Sequence, residues 1–405
     1  MTLITIVRSL ALAAAVTVPI LSLWLCRNRR REILLALASL ATCLSLSELV
    51  LRGVYPQVME HNELFESDSG LGWRFVPNKK AMIVYEGEAR HSVETNASGF
   101  RDAPFIGDTD RATNIMVLGD SFLTNLAVRA SDVFTEVMER RMVDTSVMNF
   151  GVNGYGQVQE YLLLEQWFER AQPDLLILLI YVRNDFEDNI GQYPWLYNRP
   201  SVSWNEGHST LTIVPPAAHQ PRRPTLPFWR SYRQLHLYQL MNQGLETVVS
   251  RWVRASTGPS RHLPPELYLC RTDPSDEVLH LYRIMQALLL KFASFAEDHT
   301  VPIVFAIAPS IVQVNHELWA STQRAHGLRP KDYKRSLPGD ALVEFAATNN
   351  LLLLDLLPPL LAAAEEGGPL YNRREEHWTA RGNLVVARVV SEFLEREHLT
   401  DPIGD

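Results

Sequence analysis

Residues 174–182 form a nearly continuous apolar run, and this run constrains the fold more than any other part of the chain. A strand that is apolar on both faces must be covered on both faces, which is typical of a parallel sheet flanked by helices. Shorter apolar runs predict four further strands, at residues 115–118, 147–150, 302–308 and 351–355. The sequence therefore predicts an α/β fold built on a parallel sheet.

Helical periodicity fills the intervals between these strands. The predicted helices cover residues 133–142, 157–171, 276–299, 337–349 and 378–397. A strand that alternates with a helix in this way implies right-handed crossover connections in a doubly wound sheet.

The first 54 residues are different, because they contain two apolar stretches. Residues 9–26 have no charged side chain, and residues 33–51 have only Glu48. Between them lie four arginines within six residues, which should stay in the cytoplasm. We expect a two-helix transmembrane hairpin over residues 1–54, which would leave the rest of the chain in the periplasm of a bacterium. A cleaved signal peptide is the alternative for the first stretch.

The remaining chain is predicted to have two parts. Residues 55–113 are rich in turn residues and should form short strands, and residues 114–400 should form the α/β domain. An insertion at residues 191–275, rich in proline and tryptophan, interrupts that domain and would either shape a substrate site or dock a partner. The net charge of −8 and the absence of a basic stripe argue against nucleic-acid binding. The three cysteines and twelve histidines show no metal-ligand spacing, so neither a metal nor a cofactor is expected.

Ser121 is the candidate nucleophile. It follows the strand at 115–118 in the sequence Gly119-Asp120-Ser121, at the edge where α/β folds place their chemistry. A serine hydroxyl needs an adjacent general base to become a good nucleophile, and Gly-Asp-Ser also occurs in ordinary turns.

Two further blocks follow the next two strands and offer hydrogen-bond donors. Gly154 lies in a glycine-rich turn, where its backbone N–H can face an oxyanion. Asn184 follows the strand at 174–182 and can donate its side-chain amide to the same oxyanion, while Asp185 orders the loop. Ordinary turns after strands are the simpler interpretation of both blocks.

His377 completes the set, just before the last predicted helix. An imidazole has a suitable pKa for taking the Ser121 proton near neutral pH. Glu375 and Glu376 are the nearby carboxylates that would orient it.

Ser121, Gly154, Asn184 and His377 occur in the order of the four blocks of the SGNH/GDSL hydrolase superfamily, which the chain resembles over residues 114–190 and 300–395. The flanking pieces Leu71-Gly72-Trp73 and 96–101 look like those of membrane-anchored bacterial members linked to surface polysaccharides. The resemblance implies a flavodoxin-like three-layer fold with Ser121 as nucleophile. It also implies an oxyanion hole from the Ser121 and Gly154 N–H groups and the Asn184 side chain. The chain departs from the family in its acid, because Glu375 stands where aspartate is usual.

Three functions are compatible with these features. The leading interpretation is a serine acyl-ester hydrolase or O-acyltransferase acting on acetylated glycan outside the cytoplasm. The second is an SGNH-scaffold subunit, weakly active or inactive, that binds glycan or a membrane partner; the change to Glu375 favours it. The third is a thioesterase or lipase that acts on membrane lipids.

Overall fold

A computed structural model of the chain describes residues 29–54, 64–83, 91–103, 113–191, 198–205, 210–216, 235–241, 244, 263–372 and 376–400. The chain divides into two compact units. In its described residues, the first unit consists of the helix Arg30–Val54 and residues 235–241 and 244. The second unit contains all the strands that the structure describes.

The centre of the second unit is a five-stranded sheet. Its strands are β5 (Thr113–Leu118), β6 (Thr145–Asn149), β7 (Leu175–Tyr181), β10 (Ile303–Ala308) and β11 (Leu352–Asp355). All four pairings are parallel, in the order β6-β5-β7-β10-β11. Counted along the chain, this is the flavodoxin-like order 2-1-3-4-5. The predicted α/β fold is therefore confirmed, and β7 is its buried central strand.

Six further strands form three antiparallel hairpins. Two hairpins lie in the predicted turn-rich region, and the third lies in the insertion. The hairpins are β1 (Phe65–Asp68) with β2 (Gly72–Phe75), β3 (Lys80–Ile83) with β4 (His91–Glu94), and β8 (Ser201–Asn205) with β9 (Thr210–Val214). The sequence did not predict β8 and β9. It predicted a helix near 238–254, of which only residues 238–241 and 244 are described, and these are helical.

Helices cover both faces of the sheet. One face contacts Phe134–Arg141, Leu357–Glu365 and Ala380–Arg396, whose apolar side chains form a single core with alternate residues of β5, β7 and β10. Gln157–Ala171 and Asp276–Asp298 contact the sheet as well. The other described helices are Ser121–Thr124, Asp185–Asp188, Pro265–Tyr268, Ile311–Val314, His316–Ala325 and Leu337–Thr348.

Two of the described helices are long and apolar enough to span a membrane. Asp276–Asp298 places many side chains in the core, as a helix of a soluble domain does. Arg31–Val54 has a mean hydropathy of 2.0, and none of it is buried. This helix covers the second predicted span and fits a membrane anchor or a signal sequence. The first predicted span, at residues 9–26, lies outside the described residues.

Candidate functional site

Ser121 lies at the start of a short helix, directly after β5. The Asp120 carboxylate accepts the Phe122 N–H at 2.9 Å and so caps this helix. The Ser121 hydroxyl donates to the other oxygen of the same carboxylate, at 3.3 Å. Because β5 is the first strand and its neighbour β7 is the third, Ser121 lies at the switch point of the sheet, where flavodoxin-like folds bind ligands.

The carboxyl end of this short helix is held by Arg101. The buried guanidinium donates to the carbonyl oxygens of Thr124, Asn125 and Val128, at 2.6 Å for the last two. A cation at the carboxyl end of a helix also complements the helix dipole. Asp120 and Arg101 therefore fix both ends of the four residues that present the Ser121 hydroxyl.

Gly154 lies in the turn after β6, with a φ of 76°. A side chain is strained in this left-handed conformation, so the turn favours glycine. The peptide between Asn153 and Gly154 is anchored on its carbonyl side, because the Trp73 indole N–H donates to the Asn153 carbonyl at 3.0 Å. The Asn153 side chain accepts the Thr124 hydroxyl at 2.7 Å, which connects this turn to the Ser121 helix.

Trp73 is itself buried and held in the β1–β2 hairpin. The Tyr155 hydroxyl donates to the Trp73 carbonyl, and the two rings meet edge to face with centroids 5.6 Å apart. Gln159 donates to the Leu71 carbonyl at 2.7 Å. The hairpin is thus fastened to the turn that carries Gly154 and to the helix that follows it.

Asn184 follows β7 and lies beside the nucleophile. Its Nδ2 is 3.4 Å from Asp120 Oδ2, 3.1 Å from Asp185 Oδ1 and 2.9 Å from Asp188 Oδ2. An amide nitrogen has two hydrogens, so three carboxylates share two donors. One N–H must turn from a carboxylate to the substrate before Asn184 can stabilise an oxyanion.

Buried carboxylates continue beneath Asn184. Asp185 accepts the Tyr181 N–H at 2.7 Å and the Gln157 amide at 2.6 Å, so it orders the loop as predicted from the sequence. Burial raises the pKa of Asp185 well above its usual range, and the charges of Asp120 and Glu160 raise it further. The pKa of Glu160 is also well above its usual range, for the same reasons: burial, then the charges of Asp120 and Asp188.

Arg199 is a buried cation in this network. Its Nη1 is 2.6 Å from Asp188 Oδ1, and its guanidinium lies 5.3 Å from the centroid of the Trp73 ring. Burial raises the pKa of Asp188 to about 6, although Arg199 opposes the rise. Arg199 therefore joins the loop of Asn184 to the tryptophan that holds the Gly154 turn.

His377 lies against the residue that follows the nucleophile. The centroids of its ring and the Phe122 ring are 5.0 Å apart. The next residue, Trp378, is fully buried, and its carbonyl accepts the Asn125 side-chain amide at 2.9 Å. The loop of His377 therefore contacts both ends of the Ser121 helix, Phe122 near its start and Asn125 just after its last residue.

The carboxylate of Glu376, one of the two acids considered for orienting His377, forms an ion pair with Arg183. Arg183 also lies 3.6 Å from Glu266. Glu376 has a φ of 59°, in the left-handed region that non-glycine residues rarely adopt. The predicted acid Glu375 lies outside the described residues, and its role stays a prediction.

The structure thus places Ser121, Gly154, Asn184 and His377 on one edge of the sheet. Sequence reasoning missed the buried residues that support them, Asp120, Arg101, Trp73 and Arg199. Trp73 and Arg101 lie in the pieces 71–73 and 96–101, which carry part of the family resemblance, but nothing in the sequence sets Arg199 apart. Among the described residues, no group of three histidines, cysteines or carboxylates is arranged to hold a metal ion.

Comparison with known proteins finds similarity to solved structures alone. No protein-family model matches the chain, and no curated protein matches it. An acetyl xylan esterase is 15% identical, with 69% of this chain and 98% of that chain covered and a TM-score of 0.35. A lipolytic protein of the G-D-S-L family from Veillonella parvula is 13% identical, with 70% and 98% covered and a TM-score of 0.34. An acetylxylan esterase from Geobacillus stearothermophilus, a catalytic mutant, is 12% identical, with 70% and 94% covered and a TM-score of 0.34.

At these scores the similarities support no inference about activity. The assignment of the fold rests on the strand order, and the resemblance to SGNH hydrolases rests on the four blocks.

Proposed function

We propose that this protein is a serine acyl-ester hydrolase or O-acyltransferase with Ser121 as nucleophile and His377 as general base. The observation that carries the proposal is the convergence of Ser121, the Gly154 turn, Asn184 and His377 at the switch point of the sheet. A hydroxyl, two oxyanion donors and an imidazole are the parts that acyl transfer needs.

The reaction follows from these parts. Ser121 Oγ attacks the ester carbonyl carbon while His377 takes the hydroxyl proton. The Gly154 N–H and one Asn184 N–H stabilise the oxyanion. His377 returns the proton to the leaving alcohol as the carbon–oxygen bond breaks, which leaves an acyl-enzyme. Water then releases the acid in a hydrolase, or a sugar hydroxyl takes the acyl group in a transferase. Glu375 is the residue we expect to orient His377.

We assign acetylated glycan as the substrate class and the periplasm as the location. The apolar helix Arg31–Val54 and the arginines before it support an anchored protein with its α/β domain outside the cytoplasm. The resemblance of residues 71–73 and 96–101 to polysaccharide-linked members of the superfamily supports the glycan.

The second candidate is a binding or assembly subunit on the same scaffold. The hydrogen bonds of Asn184 favour it, because three carboxylates compete for the amide that an active site needs. The Ser121 hydroxyl likewise donates to Asp120.

Fluorophosphonate labelling distinguishes the enzyme from the binding or assembly subunit. The full-length protein in detergent would be treated with the probe and assayed with p-nitrophenyl acetate, beside Ser121→Ala and the exposed serine variant Ser131→Ala. Labelling and turnover that persist in Ser131→Ala and vanish in Ser121→Ala would support the enzyme. A folded protein that neither labels nor turns over would favour the binding role. Octanoyl and acetyl esters compared in the same assay test the lipase alternative.

A further inference from the structure

The helix Arg30–Val54 contains a carboxylate that is better covered than the leucines around it. Leu35 and Leu49 are 69% and 70% exposed, whereas the Glu48 side chain is 14% exposed. A soluble helix places its apolar side chains inward and its charges outward. This helix does the opposite.

The partner of Glu48 is a distant part of the chain. Its carboxylate accepts the backbone N–H of His236 at 3.0 Å and of Leu237 at 2.8 Å, and it also accepts Arg52 Nε at 2.7 Å. Residues 236–241 are helical, so Glu48 satisfies two of the N–H groups that the start of a helix leaves without a partner. We call residues 235–241 the docked segment.

The docked segment also covers its polar side chains and exposes its apolar ones, the opposite of a helix in a soluble protein. His236 and Gln239 are 7% and 6% exposed, whereas Met241 is 67% exposed, and Leu235 and Leu240 also face outward. Polar side chains of the docked segment are thus covered, and its apolar side chains are exposed, as are most leucines of the helix Arg30–Val54. Water would make this arrangement unfavourable, and hydrocarbon would make it favourable.

We infer that the docked segment lies in the membrane interface, with Leu235, Leu240 and Met241 against lipid acyl chains and Glu48 holding it to the anchor helix. Glu48 lies six residues before Val54, which is about 9 Å along a helix. With Val54 at the headgroup boundary, this depth lies within the range of about 5–10 Å to which the apolar face of an interfacial helix is buried. A carboxylate inside an apolar span needs such a partner.

The inference rests on membrane insertion of the helix Arg31–Val54 and is independent of the proposed catalysis. The docked segment is part of the insertion at residues 191–275, so this part of the insertion would attach the chain to the lipid surface beside the anchor helix.

Spin labels on the full-length protein in lipid nanodiscs test this inference. Cys26 and Cys43 would be replaced by serine, and Cys270 is buried. Single cysteines at Met241, at Leu44 in the anchor and at Val143, an exposed apolar residue of the other unit, would carry the label. We expect the Met241 and Leu44 labels to collide several-fold more often with oxygen than with a water-soluble nickel chelate. The Val143 label should show the reverse.

Glu48→Ala provides the second measurement. In this variant, collisions of the Met241 label with the nickel chelate, relative to those with oxygen, should increase several-fold. The same ratio for the Leu44 label should not change. The inference is overturned if, without the Glu48 substitution, the Met241 label shows the same ratio of oxygen to nickel collisions as the Val143 label. It is likewise overturned if the Leu44 label shows the ratio of the Val143 label. It is also overturned if Met241 keeps its lipid exposure in Glu48→Ala, because Glu48 then does not hold the segment.

Discussion

The Trp73 indole N–H donates to the Asn153 carbonyl at 3.0 Å, and this bond sets the direction of the Gly154 N–H. The carbonyl and the N–H belong to one planar peptide and point in opposite directions, so anchoring the first aims the second. Trp73 is 80 residues away from Asn153 in the sequence. The β1–β2 hairpin therefore supports the candidate oxyanion hole by holding the peptide that carries the Gly154 N–H.

Trp73→Phe should lower kcat by about 10- to 100-fold and change KM little. Complete loss of an oxyanion donor typically costs about 100- to 1,000-fold, and a misdirected peptide should cost less. Steady-state hydrolysis of p-nitrophenyl acetate measures both constants.

Tyr155→Phe is the matched control for this change. Its hydroxyl donates to the Trp73 carbonyl, so the variant loses a buried hydrogen bond of the same cluster but none to the peptide of Gly154. Equal losses of kcat in the two variants would show that Trp73 matters for stability alone. An inactive wild-type protein would instead count against the proposed function.

Arg101→Met should destabilise the folded protein by at least about 3 kcal/mol and abolish fluorophosphonate labelling. Hydrogen bonds to a charged group contribute about 1.5–3 kcal/mol each, and the variant leaves the carbonyls of Asn125 and Val128 without this donor. Urea unfolding measures the free energy. Arg140→Met removes a guanidinium bond to the exposed Ser131 carbonyl and should change neither quantity by much. Labelling that survives in Arg101→Met would refute the role of Arg101 in holding the Ser121 helix.

Glu160→Gln should stabilise the protein increasingly as the pH rises. Burial raises the pKa of Glu160 above its ordinary value of 4.5, so the folded state holds a proton that the unfolded state releases. The contribution of Glu160 to the stability of the wild type must therefore fall with rising pH above about 4.5, until the pKa of the folded state is reached. Glutamine keeps the shape and does not titrate. The difference in Tm between variant and wild type should grow from pH 4.5 to pH 8.

The exposed residue Glu169 on the same helix gives the control for this measurement, as Glu169→Gln. A Tm difference for Glu160→Gln that is constant with pH, or that shrinks as the pH rises, would mean that Glu160 is not a buried acid of this kind.

The sheet was predictable because its strands are apolar on both faces and each has a sharp end. Predicted and observed bounds differ by at most two residues for all five strands, and the helix Gln157–Ala171 was predicted with its observed bounds. The hairpin β8–β9 was missed, because prolines and tryptophans at 191–275 obscure its two-residue period. The helices His316–Ala325 and Leu357–Glu365 were also missed.

The residues of the candidate site also divide into those that the sequence predicts and those that it does not. The positions of Ser121, Gly154 and Asn184 were predictable because each follows a recognisable strand, whereas their catalytic roles stay predictions. Trp73 and Arg199 act through contacts that span more than 70 residues or join two loops, and no local pattern encodes such contacts.

Arg183 and Glu376 should be energetically coupled in catalysis. Arg183 precedes the oxyanion donor Asn184, and Glu376 precedes the base His377, so their ion pair joins the two loops. Both side chains are partly exposed, which limits the effect of the pair on stability to about 1 kcal/mol or less. Arg183→Met and Glu376→Gln should each lower kcat by about three- to tenfold. The double variant should lose no more than the worse single variant, because the second change removes a pair that is already broken. Losses that multiply in the double variant would show that the two side chains act separately.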